Sequence, residues 1–211
     1  MKRNLFILLI LFSSQLTAQI FVKDVETVKV VTVAYCVDNE GEIYDVKIDE
    51  EKTNYDHVGW QLGVLENFKK STLQYPMKMT NRCWTAVYYF VNEKYKTTTL
   101  DKDKQKECRK FHTGTYQYLS PAYSETKIIR RKNRQIEKNS KQRQVYKVEW
   151  LDDHVYTLET LFLPLEKDKH KIGSLIHVEI IEVFGDVYLY KSIITNKEND
   201  NYIFGLMKKV K

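Results

Sequence analysis

The sequence predicts an α+β N-terminal domain, made of a β-hairpin, a helix and a β-strand, followed by an all-β domain. Three observations predict this fold class. Residues 28–48 alternate as two strands around a turn, and a helical pattern follows them. From residue 108 onward, eight short strand patterns succeed one another with tight turns. Tyrosine, which favours strands, occurs 15 times. The predicted boundaries are 1–18 for a signal peptide, 19–92 for the α+β domain, 93–107 for a charged linker and 108–211 for the β-domain.

The first 18 residues have the composition of a secretory signal peptide. Lys2 and Arg3 form the positive end, an apolar run covers 5–12, and small residues lead to Ala18, after which we expect cleavage. The apolar run is too short to span a bilayer, which takes about 20 residues. An uncleaved anchor is the alternative. We therefore expect an exported protein, periplasmic or outer-envelope associated, with no transmembrane segment after signal cleavage.

The stretch from residue 28 to 92 predicts a hairpin, a helix and a long strand. β-Branched and aromatic residues dominate both faces of the stretch 28–37, as in a largely buried strand. The Asp-Asn-Glu-Gly sequence at 38–41 favours a chain reversal, and 43–48 alternate as the returning strand. Four apolar side chains then recur at helical spacing, and residues 84–91 form a strongly apolar strand. The helix positions are Trp60, Val64, Leu65 and Phe68.

This order of elements resembles the C-terminal domain of the TonB family over about a third of the chain. The matching residues are Val31, Val33, Tyr35, Val37, Asp38, Gly41, Ile43, Asp45, Val46 and Ile48 in the hairpin, and Phe68, Tyr75, Pro76 and Phe90 beyond it. The resemblance implies a noncatalytic domain that binds other envelope proteins, in TonB by strand addition. The chain has only three prolines and no proline-rich spacer, so we do not expect energy transduction.

Residues 93–107 are charged and carry few large apolar side chains, which predicts a linker; a long loop within one domain is the alternative. The segments that follow predict an up-and-down barrel or a small sandwich, with Ile176, Val178 and Ile180 lining the interior. The predicted strands are 114–119, 127–131, 134–138, 145–151, 155–163, 175–184, 187–195 and 202–208.

The C-terminal half resembles a small, uncharacterised exported β-domain of Bacteroidota that is lipocalin-like. The residues that carry the resemblance are Cys108, Phe111, Thr113, Gly114, Arg130, Gln135, Glu137, Trp150, Asp153, Tyr156 and Leu158. In that pattern a second cysteine occupies the position of His154, so Cys108 lacks its usual partner here. The resemblance implies a fold but no agreed function.

The three cysteines of an exported chain predict a disulfide. Cys36 and Cys83 lie on strands of the same predicted sheet, which favours their pairing; the alternative is that all three cysteines are free and buried. His112 lies four residues from Cys108, but no oxyanion hole or orienting group accompanies them, so we do not expect a nucleophilic cysteine.

The remaining polar residues predict neither an enzyme nor a cofactor site. The five histidines show no metal-ligand spacing. The sequence Asp152-Asp153-His154 could form an acid–base cluster, but it is more typical of a polar turn.

The basic run at 127–143 is the strongest electrostatic feature. It predicts contact with an anionic surface, such as a lipid headgroup or lipopolysaccharide, through Lys127, Arg130, Arg131, Lys132 and Arg134. The run contains one acid, Glu137, and it lacks the interleaved aromatic residues that stack nucleic-acid bases. A solvated hairpin is the alternative. The other basic residues of the run are Lys138, Lys141 and Arg143.

Two functional hypotheses follow from the sequence. The first is an envelope protein that uses its TonB-like domain to recognise another envelope protein, which an exposed strand edge without a cavity would favour. The second is a lipocalin-like carrier of a small apolar or anionic ligand, which a hollow barrel would favour. Removal of the signal peptide takes away Lys2 and Arg3 and lowers the net charge from +6 to +4, which is too mild to indicate a nucleic-acid partner.

Overall fold

The computed structural model describes residues 19–72, 80–140, 142–194 and 202–211. The predicted signal peptide (1–18) lies outside these residues, as do Tyr75 and Pro76 of the TonB-like pattern and Lys141 of the basic run. Within the described ranges, no helix has both the length and the apolar character needed to cross a membrane.

The N-terminal part forms a four-stranded sheet in the order β1-β4-β2-β3. Strand β2 pairs antiparallel with both β3 and β4, whereas β1 pairs in parallel with β4. The hairpin, the helix and the long strand form where the sequence predicts them. Strand β1 escapes prediction because four residues are too few to show alternation. The elements are β1 (Gln19–Val22), β2 (Val28–Val37), β3 (Ile43–Ile48), α1 (Val58–Thr72) and β4 (Arg82–Asn92).

The C-terminal part forms a closed barrel of eight antiparallel strands. Consecutive strands are neighbours, and β12 pairs with β5, with Met207 opposite Tyr118, to complete the ring. Closure leaves no unpaired strand edge. It confirms the barrel alternative over the sandwich. The strands are β5 (Gly114–Tyr118), β6 (Lys127–Arg131), β7 (Arg134–Lys138), β8 (Arg143–Trp150), β9 (Val155–Phe162), β10 (Leu175–Phe184), β11 (Val187–Ile194) and β12 (Ile203–Lys209).

The segment between the sheet and the barrel differs from the flexible linker that its charge predicts. It contains a 3-10 turn (Glu93–Lys96) and a short helix, α2 (Lys102–Glu107). Its two large apolar side chains, Tyr95 and Leu100, are buried against the barrel. The Tyr95 hydroxyl also donates a hydrogen bond to Glu182 on β10. These two anchors fix the segment despite its charged composition.

The two predicted domains share a packed interface, because the sheet lies between α1 and the barrel wall. Residues such as Val33 face α1 and pack with Phe68. The opposite face, which includes Val30, packs against Leu189 and Phe204 on the outer wall of the barrel. This arrangement explains why β2 is apolar on both faces.

Candidate ligand-binding site

The two ends of the barrel differ. One end is closed by the 3-10 turn Cys108–Phe111, whose Phe111 side chain is fully buried with its ring centroid 4.8 Å from that of Tyr188. Thr115 N–H donates to the carbonyl oxygen of Lys211 at 2.9 Å, which holds the C-terminus at this end. At the other end, which we call the mouth, a cavity of about 690 Å³ opens into the barrel.

The cavity is lined by side chains that the period-two alternation of the strands directs inward. On β7, Gln135 and Glu137 point inward while Ile136 between them points outward. The segment 120–126 after β5 covers one side of the opening, and residues of the turn after β3 border it. The inward-facing strand residues of the lining include Tyr118, Glu137, Gln144, Tyr190, Ser192 and Gly205, and Tyr89, Lys138, Ile203 and Leu206 also line the cavity.

Arg130 is buried inside the barrel, with only 2% of its surface exposed. Its Nε donates to Gln135 Oε1 at 2.6 Å, and Nη1 donates to the carbonyl oxygen of Phe111 at 3.1 Å. Its Nη2 donates to the hydroxyls of Tyr156 (2.8 Å) and Tyr188 (3.2 Å). Arg130 therefore does not belong to the surface group that the sequence predicts, because its guanidinium is held between the closed end and the middle of the barrel.

Glu137 connects this buried network to the cavity. Gln135 Nε2 donates to Glu137 Oε1 at 2.7 Å, and the Tyr118 hydroxyl donates to Oε2 at 3.2 Å. Desolvation raises the pKa of Glu137, while these two hydrogen bonds and the charge of Arg130 oppose the rise. A carboxylate has about four acceptor sites, so these two donors leave capacity for a ligand donor in the cavity.

Tyr190 and Gly205 shape the wall of the cavity together. A Cβ atom at Gly205 would lie 2.5 Å from the Tyr190 hydroxyl oxygen and 2.7 Å from Cζ, so the ring occupies space that only glycine leaves open. Burial raises the pKa of Tyr190, which keeps its hydroxyl protonated. Ser120 Oγ, at the edge of the cavity, is buried without a hydrogen-bond partner among the described residues.

The cysteines occupy two different settings. Cys36 on β2 and Cys83 on β4 are direct cross-strand neighbours and are joined by a disulfide bond. Cys108 is a free thiol that is fully buried. Burial, and to a lesser extent the charge of Glu107, raises the pKa of Cys108 to about 11. This thiol is therefore protonated at neutral pH, unlike a nucleophilic cysteine.

The polar turn near Trp150 supports the closed end of the barrel. The His112 ring stacks on Trp150 with 3.7 Å between centroids, and His112 Nε2 lies 3.0 Å from the carbonyl oxygen of Asp153. Arg109 Nε donates to Asp153 Oδ1 at 2.7 Å. The Asp153 carboxylate is thus paired with a cation in a structural contact. Among the described residues, no group of three or more His, Cys, Asp or Glu side chains could hold a metal ion.

The other basic residues that the sequence singles out lie on the outside of the protein. Lys127, Arg131, Lys132 and Arg134 are all exposed. The interior residues Tyr118, Gln144 and Tyr190, in contrast, belong to no motif. The only sequence signal that points to them is their position in the period-two alternation of β5, β8 and β11.

No protein-family model, curated protein or solved structure matches this chain. The geometry of the barrel mouth must therefore support any functional assignment.

Proposed function

We propose that this protein is a noncatalytic, exported carrier that binds a small polar ligand at the mouth of its C-terminal barrel. The observation that carries the proposal is the cavity of about 690 Å³ at the mouth. Its volume lies within the range of about 300–1,000 Å³ that is typical of small-molecule sites. The Cys36–Cys83 disulfide supports export, because such bonds persist in oxidising compartments.

The lining supports a ligand that donates hydrogen bonds, such as a polyol or an amine. Glu137 supplies acceptor oxygens at the floor, and the Tyr190 hydroxyl and Ser120 Oγ have hydrogen-bonding capacity left. The rings of Tyr118 and Tyr190 offer apolar surface beside these polar groups. An anionic ligand, which the sequence leaves open, would meet the acidic side chain of Glu137, although Lys52 and Lys138 also line the cavity.

Protein recognition through the N-terminal sheet is the second candidate. Its supporting observation is that β3 is an edge strand, with 53% of the Tyr44 side chain exposed. However, Asp45 has a φ of +50°, which interrupts the regular backbone that strand addition requires. Both faces of the sheet are covered, so a partner would have to use one of its two edges, β1 or β3.

Native mass spectrometry of the mature protein, purified from an envelope fraction, tests the carrier function. We expect a bound small molecule that dissociates on denaturation. Ser192→Phe, which places a ring inside the mouth, should abolish retention of the molecule. Ile193→Phe, which adds the same ring at the next, outward position of β11, is the matched control and should retain it. A bare mass for the wild-type protein, together with a co-purifying protein, would favour recognition through β3 instead.

A further inference from the structure

The strand register places the basic residues of β6, β7 and β8 in two rows on the outer wall of the barrel. Near the mouth, Lys127 lies opposite Lys138, and Lys138 lies opposite Arg143. We call these three residues the mouth row. Near the closed end, Arg131 lies opposite Arg134, and Arg134 opposite Lys147, with an apolar row between the two. The apolar row consists of Ile129, Ile136 and Val145.

Like charges directly opposite on a sheet destabilise it, so an uncompensated row of cations has a cost to folding. All three mouth-row residues are exposed, and within the described ranges none of them forms an ion pair. In the other row, Lys147 is near Glu149 and Glu159 at 3.7 and 3.8 Å. The mouth row is therefore a compact positive strip that no acid in the described chain neutralises.

Exposed apolar side chains continue this strip along the rim of the mouth. Phe162 lies opposite Val145 at the end of β9 and is 47% exposed, and the preceding Leu161 is 45% exposed. The connection to β10 and the first residue of that strand add three more exposed apolar residues. These are Leu165, Ile172 and Leu175. Two acids of that connection, Glu166 and Asp168, are each paired with a lysine three residues on, so it adds little net charge.

We propose that the mouth of the barrel docks on an anionic lipid bilayer, with the mouth row on headgroup phosphates and the Leu161–Phe162 rim in the interfacial layer. Cations attract the protein to an anionic leaflet, and large apolar side chains beside them enter the headgroup boundary. An acidic protein or a nucleic acid would use the cations, but it would not account for the apolar rim. Lys138 also borders the cavity, but the inference does not depend on the proposed carrier function, since it rests on the exposed cations and apolar side chains of the rim.

In this orientation the two basic rows should contribute differently to membrane binding. Lys127 and Arg131 are four positions apart on β6, which corresponds to roughly 13 Å along the strand, or about 10 Å in height once strand tilt is included. The Debye length is about 8 Å at physiological salt, so the row at the closed end feels a docked membrane much less than the mouth row does. Variants in this row are therefore matched controls of equal charge.

Co-sedimentation of the mature protein with phosphatidylcholine vesicles, with or without 30% phosphatidylglycerol, tests the proposal. We expect binding only to the anionic vesicles. The variant K127Q/K138Q/R143Q should lower the partition coefficient about 100-fold, since each basic residue near the leaflet contributes about fivefold. The control R131Q/R134Q/K147Q, which also removes three positive charges, should lower it by less than about fivefold. Circular dichroism verifies that both variants remain folded.

A second measurement tests the apolar rim. F162W should show a blue-shifted emission with anionic vesicles and quenching by brominated lipids, whereas L151W, at an exposed position near the closed end, should show neither. Equal losses in the two glutamine variants, or no spectral change in F162W, would overturn mouth-first docking. If the protein binds a soluble polyanion as tightly as it binds anionic vesicles, and if F162S does not change that binding, the mouth row would be a site for an acidic macromolecule instead.

Discussion

Replacement of Arg130 by methionine tests whether the buried polar network stabilises the barrel. Methionine fills most of the space but removes the charged donor from Gln135 and Tyr156. It also removes the cation whose charge opposes the desolvation-driven rise in the pKa of Glu137. Removing one member of a buried charged network costs about 3–5 kcal/mol, and we expect the free energy of unfolding to fall by that amount.

The pH dependence of stability should change as well. The pKa of Glu137 is raised in the folded protein above its ordinary value of 4.5. A raised carboxyl pKa means that the folded state binds the proton more tightly, so stability is greatest below the unfolded pKa and declines as pH rises through the folded pKa. Without Arg130 the folded pKa rises further, and the decline with pH becomes larger. Glu137→Gln should remove this decline.

Urea denaturation at a series of pH values that includes pH 7, followed by intrinsic fluorescence, measures both effects. Arg131→Met is the matched control, because Arg131 is the exposed neighbour on the same strand, and its cost should stay within about 0.5 kcal/mol. The double variant R130M/E137Q should lose less stability than the sum of the single variants, with a coupling of about 1–2 kcal/mol. A cost below about 1 kcal/mol for R130M, or strict additivity, would refute the network.

Three further predictions follow from the described contacts. Replacing Cys36 and Cys83 by serine opens a crosslink across 47 residues and should reduce the free energy of unfolding by about 4 kcal/mol, measured in urea against the oxidised wild-type protein; equal stability of the variant and the oxidised wild type would contradict this. Gly205→Ala forces the Tyr190 ring toward the cavity and should weaken ligand retention about tenfold at nearly unchanged melting temperature; undiminished retention would argue against a ligand beside Tyr190. Cys108, with its pKa raised to about 11, should resist iodoacetamide at pH 8 in the folded protein and react only in denaturant; rapid native labelling would show that the closed end opens.

Much of the fold could be predicted from local patterns. Each of the eight barrel strands lies within a residue or two of its predicted span, because turns and period-two alternation are properties of adjacent residues. The opposition of Cys36 and Cys83 also agrees with the placement of both residues on one sheet. The linker prediction differs from the structure because charge predicts solvation, and two apolar side chains, Tyr95 and Leu100, are enough to anchor the segment.

The candidate site depended on tertiary structure. The β6 sequence Lys-Ile-Ile-Arg-Arg places one isoleucine and at least one cation on either face, so its local pattern does not say whether Arg130 or Arg131 points inward. Only closure of the barrel, by pairing β12 with β5, defines an inside. The same closure turns Glu137 toward the cavity and sets Lys127, Lys138 and Arg143 in one outward row. Local sequence patterns determine which residues form strands. Pairings between residues that are far apart in the chain determine which face of each strand meets the ligand.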